Sequence, residues 1–146
     1  MPSIDELKAM ACATIDARRD EIVGVAQAIF ANPEPGYRES GTARRIADKF
    51  QEWGIPFEEG IAITGLKGRL QGGSAGPTVG IMGELDSHIV PGHPECNPAT
   101  GAVHACGHNA QVGSMLGAGL GLLASGVMKE LCGNVALFGV PAEEYT

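Results

Sequence analysis

Cys106 and His108, separated by a single glycine in the stretch His104-Ala105-Cys106-Gly107-His108-Asn109, are the residues best placed to do chemistry. A thiolate and an imidazole two positions apart reach the same side of an extended segment, and Gly107 lets the backbone turn sharply between them. Two acidic stretches accompany the pair, Gly83-Glu84-Leu85-Asp86 before it and Pro141-Ala142-Glu143-Glu144 after it. Thiolate plus imidazole suits zinc, and added carboxylates admit manganese or cobalt. Glu143 and Glu144, adjacent at a strand end, point in different directions, so one can bind metal while the other takes a proton from the attacking water. Asp86 serves either to orient a ligand or as a ligand itself, and Glu84 either joins the site or merely ends its strand. Taken singly, a cysteine or histidine is usually an ordinary packed or exposed residue, and a Glu pair usually a solvated turn. Their combination is what points to metal-assisted hydrolysis.

The surrounding elements follow from periodicity and punctuation. Ser3 and Glu6 form a capping box, and Ile4, Leu7, Ala11, Ile15, Ile22, Ala26 and Ile29 recur at helical spacing, which predicts one long helix from Ile4 to Ala31. Asn32-Pro33-Glu34-Pro35-Gly36 ends it, and Tyr37, Arg38 and Glu39 continue as a connecting loop. Ser40 is positioned to cap a second helix with Ala43, Ile46, Ala47, Phe50 and Trp53 on its apolar face, Arg44, Arg45, Asp48 and Lys49 on its solvated face, and Gly54 as the stop. Ile61 to Leu70 reads as a strand or strand pair at a sheet edge, and Gly72 to Pro77 as a turn. Thr78 to Gly83 lacks alternation and reads as a strand buried on both faces, delivering Glu84 and Asp86 at its C-terminal end. Ser87 to Val103, with three prolines, reads as a loop over the site, in which His88 and His93 are solvent-exposed. Asn109 is the expected cap of a helix from Ala110 to Leu123, whose glycines permit close packing, and Gly133 to Val140 is a further strand ending at Glu143-Glu144. The order implies one domain over residues 1–146, a layered α/β/α arrangement around a mixed, largely parallel sheet.

Composition narrows the partners. A net charge of -7 with no basic stripe disfavours nucleic acid and anionic membranes, leaving small molecules or peptides. No apolar run approaches a membrane span and no signal-peptide pattern opens the chain, so a cytoplasmic location is the default. Cys12, Cys96, Cys106 and Cys132 are scattered, which fits reduced cysteines, with Cys12 and Cys132 as buried apolar residues. The glycine clusters lack the lysine of a phosphate-binding loop. A competing reading uses His93, Cys96, Cys106 and His108 as a closed structural zinc site without catalysis.

The three motifs, taken in order, resemble the M20 family of metallopeptidases and amidohydrolases, and especially its branch of aminoacylases and p-aminobenzoyl-glutamate hydrolases. Asn32-Pro33-Glu34 before a Gly-aromatic pair resembles that family's early loop. The resemblance implies two divalent metals at a co-catalytic site, hydrolysis of an amide bond in N-acyl or aminoacyl amino acids, and homo-oligomers of the full-length protein. It carries metal ligation to Cys106, His108 and Glu144, the general base to Glu143, and the acidic position of the upstream motif to Asp86. Two departures stand out. Family members continue with a lid domain and further histidine ligands, so the 146 residues correspond to the N-terminal part of a catalytic domain and alone are expected to be inactive or weakly active. Ser87-His88-Ile89-Val90-Pro91 also differs, since related sequences pass from Asp directly to a small residue and Pro.

Overall fold

The computed structural model describes residues 2–145. Its first element, α1 (Ile4–Ala17), starts at the expected capping box, with Glu6 Oε2 accepting from the Ser3 amide at 2.7 Å. The single long helix is instead two, because Arg18 leaves helical geometry (φ -109°, ψ 16°) and α2 (Arg19–Phe30) begins after it. Both halves lie along α4 (His108–Ala124), whose glycines admit them. A Cβ at Gly113 would stand 3.0 Å from Ala26, one at Gly117 3.4 Å from Ile22, and one at Gly121 2.7 Å from Ile15. The bend at Arg18 keeps both halves in contact with that row.

The second predicted helix is α3 (Ser40–Glu52), ended as expected by Gly54 in a left-handed conformation (φ 69°). Ser40 does not cap it. The Glu34 carboxylate folds back to accept from the amides of Gly41 (2.9 Å) and Thr42 (2.7 Å) and from the Thr42 hydroxyl, supplying the orphan first turn from outside the helix. Ile46, Ala47 and Phe50 are buried, whereas Lys49, expected on the solvated face, is drawn onto Glu21 of α2 and Glu52.

The strands are β1 (Phe57–Ile61), β2 (Gly65–Gln71), β3 (Ser74–Glu84), the two-residue β4 (His88–Ile89) and β5 (Ala102–Val103), and β6 (Cys132–Val140). The main sheet is mixed, in the order β1-β2-β6-β3, with β1 at the edge where the sequence places it. Its parallel pairing is confined to β3 with β6, and β1–β2 and β2–β6 are antiparallel. The Gly72–Pro77 turn shrinks to Gly72-Gly73, tied back to Gly133 and Leu131 carbonyls, and β3 starts at Ser74. β3 is not buried on both faces: it is the last strand of the sheet, and Val79 and Met82 are 59% and 66% exposed.

Register explains the second difference. Leu66 and Gly68 of β2 share a face with Leu137 and Gly139 of β6, and that face receives Phe50 of α3 and Val112 and Leu116 of α4 in one core. The opposite face carries Lys67, Phe138 and Met82, with Lys67 Nζ 5.4 Å from the Phe138 ring centroid. Among the described residues the helices therefore cover one face of the layered α/β sheet rather than both. Cys12 and Cys132 are exposed rather than buried, because α1 buries none of its residues and Cys132 is the first residue of β6, and all four cysteines are free.

Glu21 joins α2 to α3 by accepting from Arg18 Nε (2.6 Å), Lys49 Nζ (2.9 Å) and Trp53 Nε1 (3.1 Å). Partial burial opposes ionisation, but the Lys49, Arg18 and Trp53 donors outweigh it and hold its carboxyl below the usual range. A lowered folded-state value contributes stability above the unfolded value, and that stability is lost as pH falls through the folded one. Glu21→Gln should therefore lose roughly 1 kcal/mol near neutral pH, with the difference from the parent shrinking to nothing in acid; urea unfolding across pH reads this, and a pH-independent gap would contradict it.

Candidate metal centre

The parallel pair β3–β6 creates the site. Its register sets Gly83 opposite Gly139 and Glu84 opposite Val140, so both strands deliver their acidic ends to one edge of the sheet. The approach is close: a Cβ at Gly83 would stand 3.0 Å from Val112 of α4, and one at Gly139 3.1 Å from Leu85. Between these ends, α4 begins. Gly107 adopts a left-handed conformation (φ 87°) and caps the helix in place of the predicted Asn109, which turns Cys106 and His108 toward the two strand ends. Asn109 instead donates to the Ala26 carbonyl at 3.4 Å, fastening α4 to α2.

Two groups of ligand atoms result, each gathered within 4.8 Å: His88, Cys106 and Glu144 in one, Glu84, His108 and Glu143 in the other. They adjoin, since His108 Nε2 lies 2.9 Å from Glu84, 3.7 Å from Glu143 and 3.9 Å from Glu144. Cys106 and His108, expected as one pair, thus face neighbouring groups. Glu144 is held on three sides. Its amide donates to Asp86 Oδ2 at 2.7 Å, its carboxylate accepts from the Cys106 thiol, and Oε2 lies 2.8 Å from His88 Nδ1, off the angle of a hydrogen bond. Glu143 is half exposed.

Asp86 is fully buried behind both groups. Its main-chain carbonyl sits 2.9 Å from His108 Nδ1, its Oδ1 sits 3.5 Å from the same nitrogen, and Oδ1 has no hydrogen-bond partner. A carbonyl on Nδ1 fixes the proton there and turns Nε2 toward the acids. The hydrogen bond to Glu144 raises the Cys106 thiol above its ordinary value, with burial and the charges of Glu144, Glu143 and Asp86 adding to it. That same bond lowers Glu144, helped by His88 and His108 against a burial penalty. Burial pushes His104 down to about 4, so this nearly enclosed ring is neutral near pH 7. The carboxylates of Glu84, Asp86, Glu143 and Glu144 face imidazoles and a thiol, and the ion pairs of this site contain neither Lys nor Arg. Crowded acids with soft and borderline donors, beside a buried oxygen lacking a partner, form a donor set that fits divalent cations.

Several contributors escape a reading of the sequence. His88, expected to be solvent-exposed, does keep 44% of its side chain exposed, but the β4–β5 pairing carries its buried Nδ1 into the Cys106 group. Gln111 accepts from the Glu84 amide at 2.7 Å and donates to Glu84 Oε2 at 3.0 Å; its position three residues after His108 on a helix is the available signal. The Glu34 carbonyl accepts from both the amide and hydroxyl of Ser87, steadying the turn between Asp86 and His88. The alternative zinc site is not assembled, since neither His93 nor Cys96 belongs to either ligand group; the Glu95 amide donates to His93 Nδ1 at 3.2 Å and folds that ring into its own turn.

A mixed α/β domain with adjoining groups of candidate ligands at the C-terminal ends of its one parallel strand pair defines the class, an α/β scaffold with a candidate metal centre. No family model matches the chain. Thermostable carboxypeptidase 2 of Saccharolobus solfataricus is 32% identical over 130 residues, 86% of this chain and 32% of the relative. IAA-amino acid hydrolase ILR1-like 5 of Arabidopsis thaliana is 33% identical over 128 residues, 86% of this chain and 29% of the relative. The crystal structure of the Bacillus subtilis YxeP protein, described as a dinuclear metal binding peptidase from the M20 family, superposes with a TM-score of 0.77 at 25% identity, covering 88% of this chain and 37% of that one. By sequence and fold alike, the relatives of this chain are amidohydrolases and peptidases of the M20 family. The chain spans about a third of the length of the curated relatives it matches.

A methyl group placed on Gly107 would meet no heavy atom within 4 Å, so only the backbone conformation demands glycine there. Gly107→Ala should cost about 1–2 kcal/mol in urea unfolding, and an unchanged midpoint would show that the left-handed turn before His108 is not required.

Proposed function

We propose that the chain carries a two-metal centre that hydrolyses the amide bond of N-acyl or aminoacyl amino acids. The observation carrying this reading is the pair of adjoining ligand groups, His88-Cys106-Glu144 and Glu84-His108-Glu143, closed from behind by Asp86. Cys106, His108 and Glu144 are the principal ligands, with His88 and Glu84 completing their groups. Divalent metals bound there supply Lewis acidity toward the amide carbonyl and acidify water. Zinc suits the thiolate and imidazoles best, and the carboxylates accommodate manganese or cobalt.

Within that frame the two glutamates divide the work by how firmly they are held. Glu144, its amide held by Asp86 and its carboxylate facing Cys106 and His88, is suited to ligation. Glu143, half exposed and only 3.7 Å from His108, is free to swing between a water and a leaving amine, and serves as the proton carrier. Asp86 orients His108 through its carbonyl and side chain. The carboxypeptidase and the IAA-amino acid hydrolase support small amide substrates for this chain too. No helix among the described residues is long and apolar enough to cross a membrane, and three exposed free thiols, at Cys12, Cys106 and Cys132, favour the reducing cytoplasm.

The reading is tested by adding metal to the purified chain. Cobalt should give a thiolate absorption that Cys106→Ser removes, and a chain that takes up no divalent metal sinks the proposal. Hydrolysis of N-acyl amino acids, slow for these 146 residues alone, should fall a further 10²–10⁴-fold in Glu143→Gln with metal uptake intact; undiminished turnover would deny Glu143 the proton-carrying role.

A further inference from the structure

Among the described residues, Tyr37 (φ 59°), Ala62 (φ 47°), Ile63 (φ 81°) and Ala142 (φ 61°) are the non-glycine residues with a left-handed backbone. Such residues persist only where the surroundings over-determine them, and they gather at functional sites. Each lies next to one side chain, Glu39, either along the sequence or through that side chain's hydrogen bonds. Tyr37 lies two positions before Glu39. Ala62 and Ile63 lead into Thr64, whose hydroxyl donates to Glu39 Oε2 at 2.6 Å, and the Ala142 amide donates to Glu39 Oε1 at 2.8 Å. Glu39 is 0% exposed and, among the described residues, forms no ion pair. A buried carboxylate whose oxygens each hold a separate strained turn is doing something other than filling space.

We propose that Glu39 is a positioning residue for the metal centre: its carboxylate ties the β1–β2 turn at Thr64 to the left-handed turn at Ala142, and so fixes the direction in which Glu143 and Glu144 leave β6. Pro141 has no amide hydrogen, so Ala142 supplies the first main-chain donor after the strand. Glu39 takes that donor, and Asp86 takes the amide of Glu144 two residues on. The acidic segment is thus pinned at both ends by buried carboxylates from different parts of the chain. Gly36 lets the Glu34–Glu39 loop close over it, since a Cβ there would stand 3.2 Å from Ala142 Cα and 3.1 Å from Tyr145 Cβ.

This inference rests on the metal reading, and the test separates the two. Cobalt affinity, read from the Cys106 thiolate absorption, is measured for the full chain, Glu39→Ala, Glu39→Gln and the double variant Glu39→Ala with Ala142→Gly, alongside amide hydrogen exchange at residue 142 without metal. Glu39→Ala should weaken cobalt binding about 10–100-fold and speed exchange at residue 142, while Glu39→Gln, which keeps an acceptor oxygen, should lose far less. Glycine at 142 adopts the left-handed turn unaided, so the double variant should regain most of the lost affinity, which a mere packing defect would not allow. Wild-type affinity and exchange in Glu39→Ala, or a double variant as weak as the single one, would overturn the proposal. Should Glu39→Ala fail to fold, Thr64→Val removes one donor alone and is expected to shift both readouts in the same direction by less; no shift overturns it. A parent chain that binds no cobalt defeats the metal reading, and exchange at residue 142 then decides whether Glu39 holds the turn.

Discussion

The parallel pairing of β3 with β6 is the constraint on which the rest depends. Two strands running the same way end at the same edge of the sheet, so Glu84 and Asp86 from one and Glu143 and Glu144 from the other are forced into a single small volume. Like charges at such distances repel, and among the described residues the ion pairs of the site offer only imidazoles as potential cations. The fold thus assembles a place that is electrostatically unfavourable for the empty protein and favourable for a divalent cation. Because the candidate ligands come from β3, β4, the start of α4 and the segment after β6, binding a metal there would stitch together segments far apart in the chain.

Holding these acids in position falls to uncharged groups and to other carboxylates. Asp86 takes the Glu144 amide, Gln111 brackets Glu84, and the Asp86 carbonyl sets the His108 ring. A lysine or arginine in any of these places would satisfy the acids and compete with a metal; amides and carbonyls restrain them while leaving their charge unspent. Cys106 shows the balance. The start of α4 favours a thiolate, yet the neighbouring carboxylates dominate and raise the thiol, so a cation is what would convert it to a ligand.

What can be read from the sequence divides along the range of the interactions involved. The capping box at Ser3, the stop at Gly54, and the strand ends that present Glu84, Asp86, Glu143 and Glu144 are local and legible. The break at Arg18 is not, because Ile15, Ile22 and Ala26 keep helical spacing across it, and only the glycines of α4 show why the chain bends. Spacing points to Ser40 as the cap of α3, but the donors there are satisfied by Glu34, several residues upstream. His88 looks like an ordinary loop histidine for a similar reason: β4 pairs with β5 across most of a proline-rich loop, and spacing along the chain carries no trace of that return.

The loop from Asn32 to Glu39 shows how a site can depend on residues that carry none of its chemistry. Its Glu34 side chain caps α3 while its Glu34 carbonyl holds Ser87, and its Glu39 carboxylate spans Thr64 and Ala142. One short segment therefore touches the turn after β3 and the turn after β6, the two places from which the acids project. Backbone strain is concentrated around the same segment rather than spread through the core, whose Ile29, Phe50, Leu116 and Leu137 are fully buried in one cluster. That division is physically sensible, because a close-packed core needs no strained backbone to define its geometry, whereas acids gathered against their mutual repulsion do.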